Sequence, residues 1–288
     1  MPSEPSRRGL SFHIDAIPGE LSAGTTDDAN AADSTALLVE LLDLQAGLPG
    51  VRHLRGWGRD ALAARPGERV LDIGAGTGTE VLAFADQVGP EGDAVGVDPN
   101  PAMLDVARAR AAAAGSRARF VQGTAYQLPF PDDSLDAVRC ERVYQHLDDP
   151  MAATIEMARV LRPGGRALLV DSDWQTAIAH PGDPEMTGRM TAAILADVPN
   201  PRSGRRLRGL LTSAGFAIDE VKSEAAIWDP ETIRPMFAHL TSDALATGAF
   251  TEHEMLELVS SMEAGIARGD FHFSVTMFAV LGHRTSPE

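Results

Sequence analysis

The sequence contains little of several residue types, and each scarcity excludes a class of protein. Cys140 is the only cysteine among 288 residues, so one chain cannot form an internal disulfide or a cysteine-based zinc site. No apolar run approaches the roughly 18 to 20 residues that a membrane span needs, and the first residues lack the apolar core of a signal peptide. These absences predict a cytoplasmic protein without a membrane partner.

Positive charge is also scarce. Lys222 is the only lysine, and the formal net charge is −16. A nucleic-acid groove needs clustered lysine and arginine, and the one arginine-rich stretch, residues 202–208, has the pattern of a solvated helix face. No grouping of histidine, aspartate and glutamate has a spacing that demands a metal ion. The sequence therefore predicts no nucleic-acid partner and no metal site, and it leaves open whether the chain forms a homodimer.

What is present divides the chain into segments. Residues 1–33 are rich in small and polar types and predict a flexible arm, after which leucines at helical spacing predict N-terminal helices over 34–65. Strand and helix patterns alternate over 66–171, whereas 172–204 and 230–268 are helical insertions that we expect to cover a substrate. We predict one domain over residues 34–288.

Seven apolar, β-rich segments predict the strands. The alternation of these strands with helices indicates a parallel sheet that is covered on both faces. The last of the predicted strands follows a helical insertion. The predicted fold is α/β, a Rossmann-like, doubly wound and mostly parallel seven-stranded sheet with N-terminal helices and a helical lid. The predicted strands are residues 69–74, 94–98, 118–123, 135–140, 166–171, 216–223 and 271–283.

The stretch VLDIGAGTGTE, residues 70–80, predicts a ligand-binding loop at the end of the first strand. Glycines let the backbone approach a ligand closely, and such a loop lies where doubly wound sheets bind cofactors. A triphosphate loop would need a lysine, and a dinucleotide loop would need a glycine where Thr79 stands. Asp98 ends the second strand and can accept the hydroxyls of a ribose. An adenosyl cofactor fits this pattern best, while a nicotinamide cofactor remains a weakened alternative.

Four segments together resemble the class I S-adenosylmethionine-dependent methyltransferases. They are VLDIGAGTGTE, VGVDPNPAMLDVAR, FVQGTAYQLPFPDDSLDAVRCERVYQHLDDP and ARVLRPGGRALLVD. The resemblance covers residues 66–172 and is strongest to the ubiquinone/menaquinone-biosynthesis group and to the small-molecule methyltransferases of secondary metabolism. It implies S-adenosylmethionine as cofactor and a small-molecule acceptor that is methylated at an O, N or C atom.

The resemblance also implies the cofactor-binding residues. They are expected at the methionine end (Asp72, Gly74, Ala75, Gly76 and Cys140), at the ribose (Asp98), and around the sugar and adenine (Pro99, Asn100, Met103, Gly123, Thr124 and Ala125). Thr124 replaces the aspartate that commonly binds the adenine amino group in this family, so that contact should be weaker. The partner of the cofactor carboxylate stays open among Arg55, Arg142 and His53.

Candidate catalytic and acceptor-binding residues follow the fourth and fifth strands. His146 is the best candidate for a general base, because an imidazole titrates near neutral pH, and the alternative is that it only orients the loop. Asp173 is a second candidate base, Tyr144 and Gln145 are candidates to orient a substrate, and Trp174 is a candidate acceptor contact. Two other functions remain open: a cofactor-dependent reaction without methylation, such as a cyclisation, and a non-catalytic cofactor-binding module.

Overall fold

The computed structural model describes residues 27–286, except for the side chains of 27–34, 197, 236, 238–240, 242 and 243. Most of the predicted arm, residues 1–26, lies outside the described residues. From Asp27 the backbone is already helical, so the first helix begins seven residues before the predicted start.

Seven strands form one sheet with the order β3-β2-β1-β4-β5-β7-β6. Strands β1 to β5 run parallel, and β7 lies antiparallel between β5 and β6. The predicted fold class, a mostly parallel and doubly wound sheet, is confirmed. The strands are β1 (Arg69–Ile73), β2 (Asp93–Asp98), β3 (Arg119–Gln122), β4 (Leu135–Glu141), β5 (Leu161–His180), β6 (Phe216–Trp228) and β7 (His272–Arg284).

Nine α-helices are present among the described residues, and one 3-10 turn, Tyr144–His146, follows β4. Helices α3 and α4 begin at the carboxyl ends of β1 and β2, where a parallel sheet binds ligands. The helices are α1 (Asp27–Gly47), α2 (Pro49–Leu62), α3 (Thr79–Val88), α4 (Pro101–Ala113), α5 (Pro150–Val160), α6 (Pro184–Asp197), α7 (Ser203–Ser213), α8 (Pro230–Ala246) and α9 (Glu252–Arg268).

Apolar side chains cover both faces of the sheet, as the continuous hydrophobic runs of the parallel strands predict. One buried cluster joins the sheet to α2, α3 and α4, and a second joins it to α5 and α7. A smaller third cluster ties together the insertions, with Met190 of α6, Phe250 before α9, and Leu258 of α9 among its members. The insertions therefore have their own packing, and α6 lies against β5.

Strand β5 is much longer than the predicted segment 166–171, because it pairs with β7 along most of its length. The pairing is interrupted between Asp173 and Ile178, which lie opposite Thr276 and Ser274 respectively. Residues 174–177 thus form a four-residue bulge opposite the single residue Val275. The bulge moves Trp174 out of the regular strand.

Candidate functional site

The glycine loop after β1 has a fixed backbone conformation. Gly76 and Gly78 have φ angles of 50° and 82°, in the left-handed region that side chains disfavour. A Cβ atom at Gly78 would lie 2.7 Å from the Phe120 ring, whereas one at Gly76 would meet nothing nearer than Leu42 at 3.9 Å. Gly78 is therefore needed for packing, and Gly76 presents bare backbone towards open space.

Asp98 connects this loop to the end of β2. One carboxylate oxygen accepts the backbone N–H of Gly76 at 2.8 Å, and the other accepts that of Asn100 at 2.9 Å. The residue is only 5% exposed, and burial raises its pKa although the two N–H groups oppose this effect. Each oxygen keeps a further acceptor site, so the carboxylate can hold the loop and also accept ligand hydroxyls.

The loop and Asp98 line a cavity of about 270 Å³. It is bounded by the carboxyl ends of the strands on one side and by Leu41, Leu42 and Gln45 of α1 on the other. Of the predicted cofactor residues, this cavity brings together Asp72, Gly74, Ala75, Gly76, Asp98, Met103 and Arg55, with Asn100 and Arg142 beside them.

A second, much smaller cavity of about 20 Å³ adjoins the first. The two share Gly74, Val143 and His146 in their walls. The small cavity brings together the other residues predicted around the sugar and adenine, namely Pro99, Gly123, Thr124 and Ala125. The residues predicted for the two ends of the cofactor therefore line two adjoining spaces.

A buried ion cluster forms the wall of the main cavity near β1 and β4. The Arg139 guanidinium donates to Asp72 at 2.9 Å and also pairs with Glu141. Arg55 of α2 binds Glu141 at 2.7 Å, and the Nε atom of Arg139 lies 3.8 Å from Glu80. Paired charges of this kind are tolerated inside a protein because each one satisfies another.

Two further arginines complete this cluster. Arg59 binds Glu80 at 2.9 Å, and Arg142 lies 3.6 Å from Glu141 and contacts Gln45. The cluster thus has four guanidiniums, of Arg55, Arg59, Arg139 and Arg142, against three carboxylates, of Asp72, Glu80 and Glu141. With these seven groups ionised the positive charges exceed the negative by one, and Arg142 has no ion pair shorter than 3.6 Å, whereas each of the other three arginines has one of 2.9 Å or less.

Burial and neighbouring charges shift the pKa values in this cluster in different directions. Burial raises the pKa of Asp72 to about 6, against the opposing effect of Arg139. Burial also opposes ionisation of Glu141, but Arg55, Arg139 and Arg142 outweigh it and lower its pKa well below the usual range. Burial lowers the pKa of Arg142 to about 10. Glu141 therefore carries a firm negative charge, while Asp72 titrates near pH 6.

His146 lies at the end of the 3-10 turn and lines both cavities. Next to it, Gln145 accepts the indole N–H of Trp174 at 2.6 Å. The backbone N–H of Gln145 donates to Asp171, whose pKa burial raises to about 7. The turn is thus linked to β5 and its bulge. His146 and Trp174, two of the candidate residues, both line the main cavity.

Cys140, Tyr144 and Asp173 do not line the cavity. Cys140 packs within the second apolar cluster. Tyr144 belongs to the same cluster, and its hydroxyl forms a hydrogen bond with the Thr154 hydroxyl at 3.0 Å. Asp173 is fully buried and paired with Arg205 of α7 at 3.0 Å. The pleat of the strands explains the placements of Cys140 and Asp173, because successive side chains point to opposite faces. Their neighbours in the chain, Glu141 and Ser172, do line the cavity.

Several cavity residues were not among the predicted ones. Arg139 and Glu141 alternate within an otherwise apolar strand, and this period of two does place them on one face of β4. Trp228 ends β6 five residues beyond the predicted end of that strand at residue 223, and no local signal connects it with the cavity. Gln145, a candidate with Tyr144 to orient a substrate, does line the cavity. In the described chain no group of three or more histidine, cysteine, aspartate or glutamate side chains could hold a metal ion.

Comparisons with known proteins agree with this geometry. A family model described as a methyltransferase domain matches residues 70–165. An uncharacterised 37.1 kDa protein of transposon Tn4556 from Streptomyces fradiae is 32% identical over 254 residues, 86% of this chain and 71% of that protein. The crystal structure of YcgJ from Bacillus subtilis superposes with a TM-score of 0.59 and 26% identity, covering 82% of this chain and all of YcgJ. The chain belongs to the class I S-adenosylmethionine-dependent methyltransferases.

A relative with a stated biosynthetic role is similar over a shorter region. The ubiquinone/menaquinone biosynthesis C-methyltransferase of Vibrio campbellii is 40% identical over 134 residues, 45% of this chain. The alignment spans half of that enzyme, so the acceptor of that enzyme is not carried over to this chain.

S-adenosylmethionine is the cofactor of this family, and the residues present fit it. Bare backbone at Gly76 faces the cavity, and the Asp98 carboxylate is placed to accept ribose hydroxyls. Residues of the ion cluster line the same cavity, Arg55, Asp72, Arg139 and Arg142 among them, and the arginines of the cluster would supply the partner of the methionine carboxylate. No helix among residues 27–286 is long and apolar enough to cross a membrane.

Proposed function

We propose that this methyltransferase transfers a methyl group to an O, N or C atom of a small organic molecule, in secondary metabolism. The observation that carries the proposal is a single cavity with two unlike sets of lining residues. It is lined by the glycine loop, Asp98 and the ion cluster, and also by apolar side chains of β6, β7 and α6. A cofactor and an acceptor can therefore lie in contact.

The bound cofactor supplies a methyl group on a sulfonium, which is already activated for displacement. The chain must then hold the acceptor in line and, for a hydroxyl or amine, remove its proton. In this proposal Asp98 holds the ribose, and Arg142, with its long ion pair, accepts the methionine carboxylate. The bases proposed from the sequence were His146 and Asp173. Asp173 is occupied by Arg205, so His146 carries the proposed proton transfer.

Binding is tested first, by isothermal titration with S-adenosylmethionine, S-adenosylhomocysteine and NAD(H). We expect micromolar binding of the adenosyl pair and no response to NAD(H). A nicotinamide response in place of adenosyl binding would refute the cofactor assignment. Asp98→Asn keeps the size of the side chain and removes the charge, so it should weaken the binding of both adenosyl ligands.

Turnover is tested next, by release of S-adenosylhomocysteine with a panel of neutral small molecules. With an accepted substrate, His146→Ala should lower turnover about 100-fold or more if His146 is the base. A loss of only a few fold with unchanged cofactor affinity would assign it a positioning role. Substrate consumption without S-adenosylhomocysteine release would refute methyl transfer and favour the cyclisation alternative.

A further inference from the structure

The turn that carries His146 is too short to fix its own backbone. It is a 3-10 turn of three residues, Tyr144–His146. The His146 N–H donates to the carbonyl of Val143 at 2.8 Å, and the Leu147 N–H donates to that of Tyr144 at a longer 3.3 Å. The last carbonyls of a helical turn have no partner inside the turn. The position of His146 therefore depends on donors from elsewhere in the chain.

Asn200 supplies these donors. Its backbone N–H donates to the carbonyl of Gln145 at 2.8 Å. Its side-chain amide donates to the carbonyl of Tyr144 at 3.2 Å and also to that of Leu147. An asparagine amide carries two N–H donors, so both bonds can form together. One residue thus binds three carbonyls, which lie before and after His146 in the chain.

Asn200 lies in the connection between α6 and α7. Ile194 of α6 and Val198 directly after it line the main cavity. The neighbour of Asn200, Pro201, accepts the backbone N–H of Trp174 at 2.8 Å, which fixes the connection to the β5 bulge. Asn200 therefore joins the insertion, which contributes part of the cavity lining, to the turn that carries His146.

An amide side chain of this length fits the contact. Aspartate has the same size, but an ionised carboxylate donates no hydrogen bond and would face two carbonyl oxygens. Serine keeps a single donor on a shorter side chain. Capping a helix is a common structural use of asparagine, but the cap position of α7 belongs to Arg202. The Asn200 amide therefore serves the turn of His146 and not the start of α7.

We propose that Asn200 is a positioning residue for methyl transfer, which holds the turn so that the His146 imidazole faces the acceptor in the main cavity. This inference rests on the proposed function and adds a residue that acts through His146. Asn200 itself lies outside the linings of the main and the small cavity. Its loss should therefore slow turnover without weakening the binding of the cofactor.

Steady-state kinetics of S-adenosylhomocysteine release, with an acceptor that the wild type methylates, tests this signature. Asn200→Asp should lower kcat about 10- to 100-fold, because a misplaced reacting group can cost about 100-fold. The KM of the acceptor and the calorimetric Kd of S-adenosylmethionine should stay within about 3-fold. Gln175→Glu is the matched control, since it makes the same change from amide to carboxylate at an exposed position of the β5 bulge.

A double-mutant cycle separates positioning from general damage to the fold. In His146→Ala protein, Asn200→Asp should lower kcat by less than about 3-fold further, because the group that it positions is already absent. Two losses that multiply in full would overturn the inference. So would a loss by Asn200→Asp that appears in the Kd of S-adenosylmethionine and not in kcat.

A second measurement needs no acceptor and no added charge. Protein labelled with ¹³C-histidine and saturated with S-adenosylhomocysteine gives an imidazole signal for His146, assigned by its loss in His146→Gln. Asn200→Ser should move this signal and leave those of His53 on α2 and His253 on α9 in place. An unmoved His146 signal contradicts the inference. Failure of the wild type to bind S-adenosylhomocysteine would instead refute the proposed function itself, so the two failures are distinguishable.

Discussion

Replacing Arg139 tests the energetics of the ion cluster. Arg139 is 4% exposed and touches three carboxylates, those of Asp72, Glu80 and Glu141. Arg139→Met keeps much of the side-chain volume and removes the central positive charge. Removing one partner of a buried ion pair costs about 3 to 5 kcal/mol, because the other partner remains buried and uncompensated. The entropy of unfolding is about 2.1 cal/mol/K per residue, or about 0.6 kcal/mol/K for this chain. Dividing the lost free energy by this entropy, we expect Tm to fall by about 5 to 8 °C.

The loss should depend on pH, with a defined sign. Asp72 has a pKa raised from 3.8 to about 6, so its contribution to stability is complete below the unfolded value and is lost as pH rises through 6. Without Arg139 that pKa rises further, and at pH 8 the variant must ionise Asp72 at greater cost or hold its proton. The destabilisation should therefore be larger at pH 8 than at pH 5.

Urea and thermal unfolding followed by circular dichroism at the two pH values provide the measurement. Arg206→Met on α7 is the matched control, since Arg206 is exposed and its loss removes the same charge from the surface. The double variant Arg139→Met with Asp72→Asn should recover part of the loss at pH 8. A loss below about 1 kcal/mol, or one equal at pH 5 and pH 8, would refute the reasoning.

Three further outcomes are expected. Asp98→Ala should raise the Kd of S-adenosylmethionine about 10- to 100-fold in calorimetry, because it removes a charge-assisted acceptor; unchanged affinity excludes the ribose role. Gly78→Ala should destabilise the fold by about 2 to 4 kcal/mol in urea through strain and contact with Phe120, whereas Gly209→Ala, exposed within α7, should stabilise it by about 0.5 to 1 kcal/mol. Asp171→Asn should flatten the decline in stability between pH 5 and 8, because the pKa of Asp171 is raised to about 7 and its contribution is lost as pH rises through that value; an unchanged pH profile contradicts this.

Local patterns were enough to predict the core of the fold. The helix patterns predicted between strands over residues 66–171 include the observed α3, and the strands before Gly74 and at Asp98 lie within a residue of their predicted bounds. The predicted glycine loop and ribose-side acid meet through the 2.8 Å bond from Gly76 to Asp98. These features depend on neighbours along the chain, where apolar period and turn chemistry are informative.

The remaining parts of the site depend on distant neighbours. Arg55 and Glu141 are 86 positions apart, and only the packing of α2 against the sheet brings them together. The extension of β5 and its bulge at Trp174 arise from pairing with β7, which no pattern within β5 encodes. Asp173 and Tyr144 were predicted near the correct sheet edge, but the direction of each side chain depends on strand pleat and turn geometry.

The position of β7 has a consequence for the order of folding. Strand β7 lies between β5 and β6 but follows both in the chain, so β6 has no neighbour in the sheet until β7 forms. The register joins Asp171 to Phe278 and Lys222 to Ala279, contacts across long stretches of sequence that close slowly. During synthesis, β1 to β5 can assemble first and leave β5 with an open edge. We therefore expect the cofactor-binding half to form early, and the apolar lining of the cavity, which needs β6 and β7 together, to form last.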